Sequence, residues 1–159
     1  MAEKININGL DYKAERLLGT GGHSRTRLVS RNGNFFALKE FETAEDARRD
    51  AADYRRLKEI RVLTPELIED DSKNARLLKE YIEGETVAEL IARKALQEEY
   101  LAQLAYMLDV TKEAGLNLNY APENFAVQRG ILYCVDYETR PYTEEESFEK
   151  EGLALWSRP

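Results

Sequence analysis

The stretch Gly115–Glu138, GLNLNYAPENFAVQRGILYCVDYE, is the part of the sequence that decides the fold. Two short apolar runs, Phe125–Val127 and Ile131–Val135, lie on either side of the turn residues Arg129–Gly130. Apolar runs separated by a glycine-containing turn are typical of a tight β-hairpin. The sequence therefore predicts a hairpin here, and it predicts that the residues flanking the two runs lie side by side.

Polar side chains flank the predicted hairpin at both ends. Asn124 directly precedes the first run, and Asp136 directly follows the second. An amide oxygen beside a carboxylate offers two hard oxygen donors, which suit Mg²⁺ that is also held by phosphate groups. The same pattern also fits a hairpin whose polar ends are simply solvated, so the rest of the chain has to decide between the two interpretations.

This stretch resembles the protein-kinase-like superfamily, whose members carry a catalytic loop H-R-D-L-x-x-x-N, then a hairpin, then D-F-G. Asn124 matches the Asn of that loop, and Asp136 matches the Asp of D-F-G. Counting back from Asn124, the catalytic Asp of the family falls on Asn119 and its His on Asn117. The run Ala121–Asn124 looks most like the small atypical kinases, namely RIO and Bud32-like proteins and aminoglycoside phosphotransferases. The resemblance implies that the metal-binding residues are kept and the proton-accepting residue is replaced.

Composition limits the classes of protein to which the chain can belong. Its 159 residues suffice for one domain or two small lobes, and its net charge of −7 argues against nucleic acid as the main partner. The single cysteine, Cys134, excludes an internal disulfide and fits the core of a protein in a reducing compartment. We find neither a signal peptide nor an apolar run long enough to span a membrane. We therefore expect a cytoplasmic protein with no nucleic-acid or membrane partner.

A glycine-rich turn lies near the N-terminus, in the segment Leu18–Thr26 between two predicted strands. Glycines allow a backbone to turn sharply and to approach a phosphate closely. A position between two strands excludes the Walker A and dinucleotide-binding motifs, which need a helix after the glycines. Against the kinase pattern G-x-G-x-x-G-x-V, Gly19 and Gly21 match, Ser24 replaces the third glycine and Thr26 replaces the valine. The resemblance implies that Gly19, Gly21 and Ser24 cover a nucleotide.

The next candidate residue is Lys39, in the predicted strand Phe35–Phe41 that follows the hairpin signal Asn32–Gly33. Strand alternation gives Lys39 apolar neighbours on its own face, where a lysine is costly unless it has an anionic partner. The alternative is a lysine at a solvated strand edge. Ala37, Leu38 and Lys39 match the kinase signature V-A-I-K. The resemblance implies that Ala37 lines a nucleotide site and that Lys39 binds the α- and β-phosphates.

A helix is predicted from about residue 44 to residue 58, because Thr43 and Asp46 have the spacing of a helix-capping pair. Its apolar residues recur at helical spacing, and Asp50 lies on the same face. Asp50 is therefore the acidic residue expected to point toward Lys39, although kinases use the longer Glu here. A solvated acidic face is the alternative, and the other acidic candidates on the helix are Glu45, Asp46 and Asp53.

Two further strands, Pro65–Ile68 and Arg76–Ile82, are predicted on either side of a turn. The end of the second strand resembles the kinase hinge, where backbone groups hold adenine. The resemblance implies that Glu80 and Ile82 supply those groups. It also assigns Lys79 to the gatekeeper position, which is usually apolar.

Helical periodicity predicts two more helices, Glu85–Leu96 and Glu98–Ala114, and the acidic stretch Thr143–Glu151 is predicted to be a helix or a loose tail. The expected fold is α+β, two-lobed and kinase-like, with a mainly antiparallel N-lobe sheet and a truncated helical C-lobe. We expect the N-lobe to cover residues 1–82. The minimal C-lobe would then cover residues 83–159 and include the degenerate catalytic loop and the acidic tail.

Three functions are compatible with these observations. The first is an ATP- and Mg²⁺-binding pseudokinase, inactive or weakly active, that works as a switch or as a module for a protein partner. The second is an active minimal kinase that phosphorylates a protein serine or threonine or a small hydroxylated molecule. In that case Glu138 is a candidate base in place of Asn119, or the reaction needs no base. The third is a kinase-fold scaffold that binds no nucleotide.

Overall fold

The structure is a computed structural model that describes residues 3–157, and these residues fall into two compact units. The first unit contains the chain up to Ala52 together with Pro65–Tyr81. The second unit contains Asp53–Thr64 and the chain from Ile82 onward. Within the described range, no helix has both the length and the apolar character that crossing a membrane requires.

A six-stranded sheet forms most of the first unit, and every pair of neighbouring strands is antiparallel. The order of strands across the sheet is β1-β2-β3-β4-β6-β5. Their bounds are β1 Lys4–Ile7, β2 Leu10–Thr20, β3 Ser24–Arg31, β4 Asn34–Phe41, β5 Leu67–Asp71 and β6 Arg76–Glu80. The prediction of an α+β fold with a mainly antiparallel N-terminal sheet is confirmed, although β5 lies slightly later in the chain than predicted.

Turn chemistry fixes the hairpins of this sheet. Asn8 and Gly9 have φ values of 50° and 89°, and Asn32 and Gly33 have φ values of 51° and 79°. Two consecutive residues with positive φ form the turn that best matches the twist of paired strands, and Asn-Gly adopts it most readily. These two turns therefore set the pairing of β1 with β2 and of β3 with β4.

The two faces of this sheet differ in character. One face carries the apolar core cluster, in which Leu38 and Leu78 are fully buried together with Ile7 and Val29. The opposite face carries Lys39 and Lys79, because successive residues of a strand point to opposite faces and each lysine directly follows one of these two leucines. The sheet thus separates an ordinary apolar core from a face that bears two lysines.

Helix α1 extends over Ala44–Glu59, as predicted to within one residue, and it begins where the Thr43 hydroxyl accepts the Asp46 N–H. The predicted inward face is buried, including Ala47, Ala51 and Leu57. The residues of α1 up to Ala52 belong to the first unit and the remainder to the second.

The second unit combines short strands with the end of α1 and further helices, and its predicted hairpin is confirmed as β9 and β10. In this unit β7 pairs with β9, and β8 pairs with β11. The bounds are β7 Glu85–Thr86, α2 Val87–Ala92, α3 Glu98–Glu113, β8 Leu116–Leu118, β9 Phe125–Gln128, β10 Ile131–Cys134, β11 Thr139–Pro141 and α4 Leu153–Ser157. Cys134 is fully buried in β10, as predicted.

The predicted helix Glu85–Leu96 is wrong at both ends. Glu85 and Thr86 pair with β9 as a short strand, and Thr86 then caps α2 through a reciprocal hydrogen-bond pair with Glu89. The helix ends at Ala92, and Lys94 adopts a left-handed conformation with φ of 58°. Strand pairing at one end and chain reversal at the other leave a helix of fewer than two turns.

The acidic C-terminal stretch is neither one helix nor a loose tail. The chain forms a π-helical turn at Phe148–Gly152 and then α4. Trp156 in α4 is only 3% exposed, and its ring makes edge contacts with the rings of Phe125 and Phe148. Burial of a large aromatic side chain anchors the segment, which acidic composition alone could not indicate.

Candidate functional site

The glycine-rich turn joins β2 to β3, as predicted. Gly19 is the penultimate residue of β2, Ser24 is the first residue of β3, and the Gly21 N–H donates to the Ser24 carbonyl at 2.7 Å. A Cβ added at Gly19 would meet no atom within 4 Å, and one added at Gly21 would come no closer than 3.6 Å, to the Ser24 hydroxyl. Neither glycine has positive φ. The fold itself therefore does not require glycine at Gly19 or Gly21, and the turn exposes bare backbone beside a cavity of about 450 Å³.

The first unit holds Lys39 in the middle of a sheet, since β4 pairs with β3 on one side and β6 on the other. Its side chain is 13% exposed, its ammonium lies 5.2 Å from the centre of the Phe41 ring, and its Nζ is 2.7 Å from Asp50 Oδ2. The interpretation of Lys39 as a solvated edge residue is wrong. The ion pair that the spacing of α1 predicts, between Lys39 and Asp50, is present.

Asp50 also accepts a hydrogen bond from a second lysine, Lys79. Lys79 Nζ lies 2.6 Å from Asp50 Oδ1, so each carboxylate oxygen faces a different ammonium group. Asp50 is 7% exposed and Lys79 is 4% exposed. Burial by itself would raise the pKa of the Asp50 carboxyl, but the charges and hydrogen bonds of Lys79 and Lys39 outweigh burial and hold that pKa below its ordinary value. Asp50 is thus a buried carboxylate that bridges two buried or nearly buried cations.

The residues expected to line an adenine site belong to different units. Ala37 lies in β4 directly opposite Lys79, and Glu80 ends β6, where its N–H donates to the Glu66 carbonyl at 2.8 Å. Ile82 is 8% exposed and belongs to the second unit. An adenine-binding role for Ala37, Glu80 and Ile82 stays a prediction.

The second unit brings the backbones of Asn124 and Asp136 together at the base of the hairpin. The Asn124 carbonyl accepts the N–H groups of Val135 and Asp136, at 2.8 and 3.2 Å. Asp136 is exposed and Asn124 is half-buried. The sequence expectation that these two residues are neighbours is therefore confirmed.

The donor chemistry at this position fits Mg²⁺ that phosphates also hold. In residues 3–157, no group of three or more His, Cys, Asp or Glu side chains could bind a metal ion without such help. One carboxylate and one amide oxygen are a typical protein share for Mg²⁺, which keeps waters and takes phosphate oxygens as its other ligands. Asn124 and Asp136 would thus be sufficient as protein ligands only in the presence of a phosphate-bearing ligand.

The backbones of Asn119 and Glu138 are joined by a hydrogen bond in the second unit. The Asn119 N–H donates to the Glu138 carbonyl at 3.1 Å, and Asn119 Oδ1 accepts the Ala121 N–H at 3.2 Å. Both residues line a cavity of about 360 Å³, with Tyr120 and Leu155 among the other lining residues. The Glu138 carboxylate lies 3.1 Å from a nitrogen of the Arg140 guanidinium. Asn119 and Glu138 thus border the same cavity, and a catalytic role for either residue stays a prediction.

One curated protein gives a significant match to the chain. The chain is 28% identical over 110 residues to the KEOPS complex subunit Bud32 of Pyrococcus abyssi (strain GE5 / Orsay). The match covers 67% of this chain and 49% of the relative, so the chain spans about half the length of that protein. This distant similarity supports membership of the kinase-like superfamily. No protein-family model matches the sequence.

Two features of the site were not predicted from the sequence. Lys79 was interpreted only as an unusual gatekeeper, yet it shares Asp50 with Lys39. The apolar residues Leu77 and Leu78 before it could have indicated a buried strand, in which a lysine needs a carboxylate partner. The second feature is Trp156, whose indole N–H donates to the Tyr120 carbonyl at 2.7 Å.

Proposed function

We propose that this protein binds ATP together with Mg²⁺ and works as a kinase-like switch or partner module, with weak phosphoryl transfer or none. The observation that carries the proposal is the ion pair of 2.7 Å between Lys39 and the buried Asp50. Lys39 lies in β4, which pairs with β3, the strand that follows the exposed glycine turn. A lysine held in this way is an electrostatic partner for nucleotide phosphates.

The proposed division of labour follows the kinase resemblance. Residues 1–82 would act as an N-lobe, in which Lys39 binds phosphates and Gly19, Gly21 and Ser24 cover them. Residues 83–159 would act as a minimal C-lobe, in which Asn124 and Asp136 hold Mg²⁺. In the adenine-binding part, Ala37 would contribute from the sheet, and the backbone of Glu80 and Ile82 would contribute from the hinge.

Asn119 is the reason to propose weak catalysis. Phosphoryl transfer depends mostly on positioning and on neutralising charge, which Lys39 and Mg²⁺ could supply. An amide can orient a hydroxyl group but cannot accept its proton, and general-base help is worth about 10²–10⁴-fold. Nucleotide binding with little turnover is the expected result.

A second candidate function is an active minimal kinase for a serine or threonine or a small hydroxylated molecule. The observation that favours it is the cavity lined by both Asn119 and Glu138, because an acceptor hydroxyl in that cavity could reach a carboxylate. In this case Glu138 would be the base. A third possibility, a scaffold that binds no nucleotide, is an outcome of the experiment below.

We also propose a protein partner, because the relative is named as a subunit of a complex. The predicted cytoplasmic location rests on the single cysteine and on the composition of the chain. Neither nucleic acid nor membrane is proposed as a partner.

Thermal unfolding with and without ATP and Mg²⁺ tests nucleotide binding. A ligand that binds only the folded protein stabilises it by RT ln(1 + [L]/Kd), so millimolar ATP should raise the melting temperature. Asp136→Ala should lose the part of the shift that depends on Mg²⁺. The absence of any shift in the unmodified protein would favour the scaffold.

The substitution Asn119→Asp then tests the catalytic role. Aspartate is nearly isosteric with asparagine and can still accept the Ala121 N–H, so the loop should keep its shape. We expect phosphoryl transfer to rise by about 10²–10⁴-fold if the base is the missing part. Lys39→Ala is the blank, because contaminating kinase activity would survive that change.

Efficient transfer by the unmodified protein, with little change in Asn119→Asp, would instead identify a base elsewhere. Glu138→Gln is the variant to examine in that case.

A further inference from the structure

Two lysines on neighbouring strands share one buried carboxylate in the first unit. In the β4–β6 pair, Lys39 lies opposite Leu77 and Lys79 lies opposite Ala37, so both lysines project from the same face of the sheet. Lys39 Nζ donates a hydrogen bond to Asp50 Oδ2 at 2.7 Å, and Lys79 Nζ donates one to Asp50 Oδ1 at 2.6 Å. The carboxylate is therefore a bridge with one oxygen for each cation.

Such a bridge changes what happens when an anionic ligand reaches Lys39. If Asp50 had Lys39 as its single lysine, drawing that lysine toward a phosphate would weaken the pairing of a buried carboxylate, which is strongly unfavourable. With Lys79 on its other oxygen, Asp50 keeps an adjacent positive charge while Lys39 moves. The second lysine thus lowers the cost of the exchange.

Repulsion between the two ammonium groups also lowers the cost of moving Lys39 toward a phosphate. Asp50 supplies one negative charge, and two ammonium groups lie within hydrogen-bonding distance of it. The attraction of Asp50 for Lys39 is therefore partly offset by the repulsion between the two ammonium groups, which low solvent exposure leaves poorly screened. Lys39 is correspondingly easier for a polyphosphate to attract.

We infer that Lys79 is a positioning residue, which holds Asp50 and so keeps the Lys39 ammonium available to a polyphosphate ligand. This inference deepens the proposed function and rests on it, because the ligand of Lys39 is taken to be the phosphate chain of a nucleotide. It assigns different roles to two lysines that bind the same carboxylate.

The test uses isothermal titration calorimetry on the full chain with three probes: ATP with Mg²⁺, inorganic tripolyphosphate and adenosine. Lys79→Met should weaken ATP and tripolyphosphate by about tenfold or more, the value of one hydrogen bond to a charged group, and should leave adenosine unchanged. Lys73→Met is the matched control, because it removes the same charge from an exposed residue of the same unit. Equal effects of the two substitutions would overturn the inference.

Charge rescue separates positioning from a structural role. Asp50→Asn combined with Lys79→Met removes the carboxylate that would otherwise retain Lys39, so most of the lost tripolyphosphate affinity should return. The mirror variant, Asp50→Asn with Lys39→Met, carries the same net charge and should not bind tripolyphosphate. This pair remains informative if Lys79→Met alone does not fold, and equal binding by the two double variants would overturn the inference.

The same measurements distinguish failure of the inference from failure of the proposed function. Binding of ATP by the unmodified protein and by Lys79→Met with equal affinity rejects the role of Lys79 and leaves nucleotide binding intact. Binding of tripolyphosphate without ATP, with the expected order among the variants, rejects nucleotide binding and keeps the role of Lys79. Binding of neither ligand rejects both.

Discussion

The lysine cluster of the first unit and the Asn119–Asn124 loop of the second unit are held by different kinds of interaction. Lys39, Lys79 and Asp50 come from two strands and a helix, and buried charges hold them together. The loop has little regular structure beyond a 3₁₀ turn at Pro122–Asn124. Backbone hydrogen bonds hold this loop, and Phe148 and Trp156 of the C-terminal segment contact it at Tyr120.

This difference decides how each region should respond to substitution. Removing one member of a buried charge cluster takes a counter-charge away from the others, so a single substitution there should cost a large part of the free energy of unfolding. A loop held by several neutral hydrogen bonds and ring contacts should loosen in smaller steps, since each contributes only modestly. The predictions that follow test this contrast.

The largest effect is expected for Asp50→Ala, which leaves two lysines without their shared carboxylate. Breaking a buried pair by removing one partner typically costs about 3–5 kcal/mol in the free energy of unfolding. Urea denaturation of the two proteins measures this difference. The matched control is Glu45→Ala, because Glu45 pairs with Arg49 on the exposed surface of the same helix, where such a pair is worth at most about 1 kcal/mol. Similar losses in both variants would contradict the importance of the cluster.

A smaller effect is expected for Trp156→Phe, which keeps an aromatic ring beside Phe125 and Phe148 but removes the indole N–H. The Tyr120 carbonyl then loses its donor, and an unpaired acceptor costs about 1–3 kcal/mol. Circular dichroism with urea measures the stability, and amide hydrogen exchange should show faster opening around Tyr120. Leu155→Ala, at an exposed position of the same helix, should change neither quantity by more than about 0.5 kcal/mol. Unchanged exchange at Tyr120 in Trp156→Phe would show that the segment does not hold the loop.

Acid should remove the contribution of Asp50 to the free energy of unfolding gradually, over a range of pH. The pKa of Asp50 is lower in the folded protein than in the unfolded chain, where an Asp titrates near 3.9. Its stabilising contribution is therefore complete above about pH 4 and decreases as the pH falls toward the folded pKa. The difference in urea midpoint between the unmodified protein and Asp50→Asn should be constant from pH 7 to about pH 4 and then shrink. Exposed carboxylates with lowered pKa, such as Glu3 and Glu85, titrate in both proteins and cancel in the comparison. Parallel pH profiles for the two proteins would contradict the assigned shift.

The lysine cluster was largely predictable because its parts follow regular periods. Strand alternation put Lys39 on an apolar face, and helical spacing put Asp50 on the inward face of α1. The same alternation applied to Leu77–Lys79 would have put Lys79 on a definite face of its strand. What the sequence could not supply was the pairing of β4 with β6, and without that register Lys79 had no reason to meet Asp50.

The second unit was predictable only where short-range signals exist. The Arg129–Gly130 turn indicated the β9–β10 hairpin, but β8 and β11 have three residues each and carry no usable periodicity. The contact between Trp156 and Tyr120 joins residues 36 positions apart in the chain. The short segment Leu153–Ser157 after the acidic stretch carries no local pattern that distinguishes a buried tryptophan from an exposed one.

Two glycines, one from each unit, sharpen the contrast between a residue that the fold requires and one that it leaves free. A Cβ at Gly84 would lie 1.9 Å from the Val127 carbonyl oxygen, whereas a Cβ at Gly19 would meet nothing within 4 Å. Gly84→Ala should therefore destabilise the protein by forcing β7 and β9 apart. Gly19→Ala should leave the free energy of unfolding unchanged or raise it by up to about 1 kcal/mol, since alanine reduces the freedom of the unfolded chain.

Gly19→Ala, which should change stability least, should nevertheless change the affinity for ATP with Mg²⁺. If the glycine turn covers a phosphate, the added methyl group at Gly19 obstructs the approach of the backbone, and the affinity for ATP with Mg²⁺ should fall. Calorimetry on Gly19→Ala measures this, with urea denaturation as the check that folding is intact. Asn32–Gly33 offers a comparison within the same sheet: Gly33→Ala should cost stability because φ is 79° there, and it should leave ATP affinity unchanged. Unaltered ATP binding in Gly19→Ala would mean that the backbone at Gly19 does not approach a nucleotide phosphate. Lys39 would then be the remaining argument in the first unit for phosphate binding.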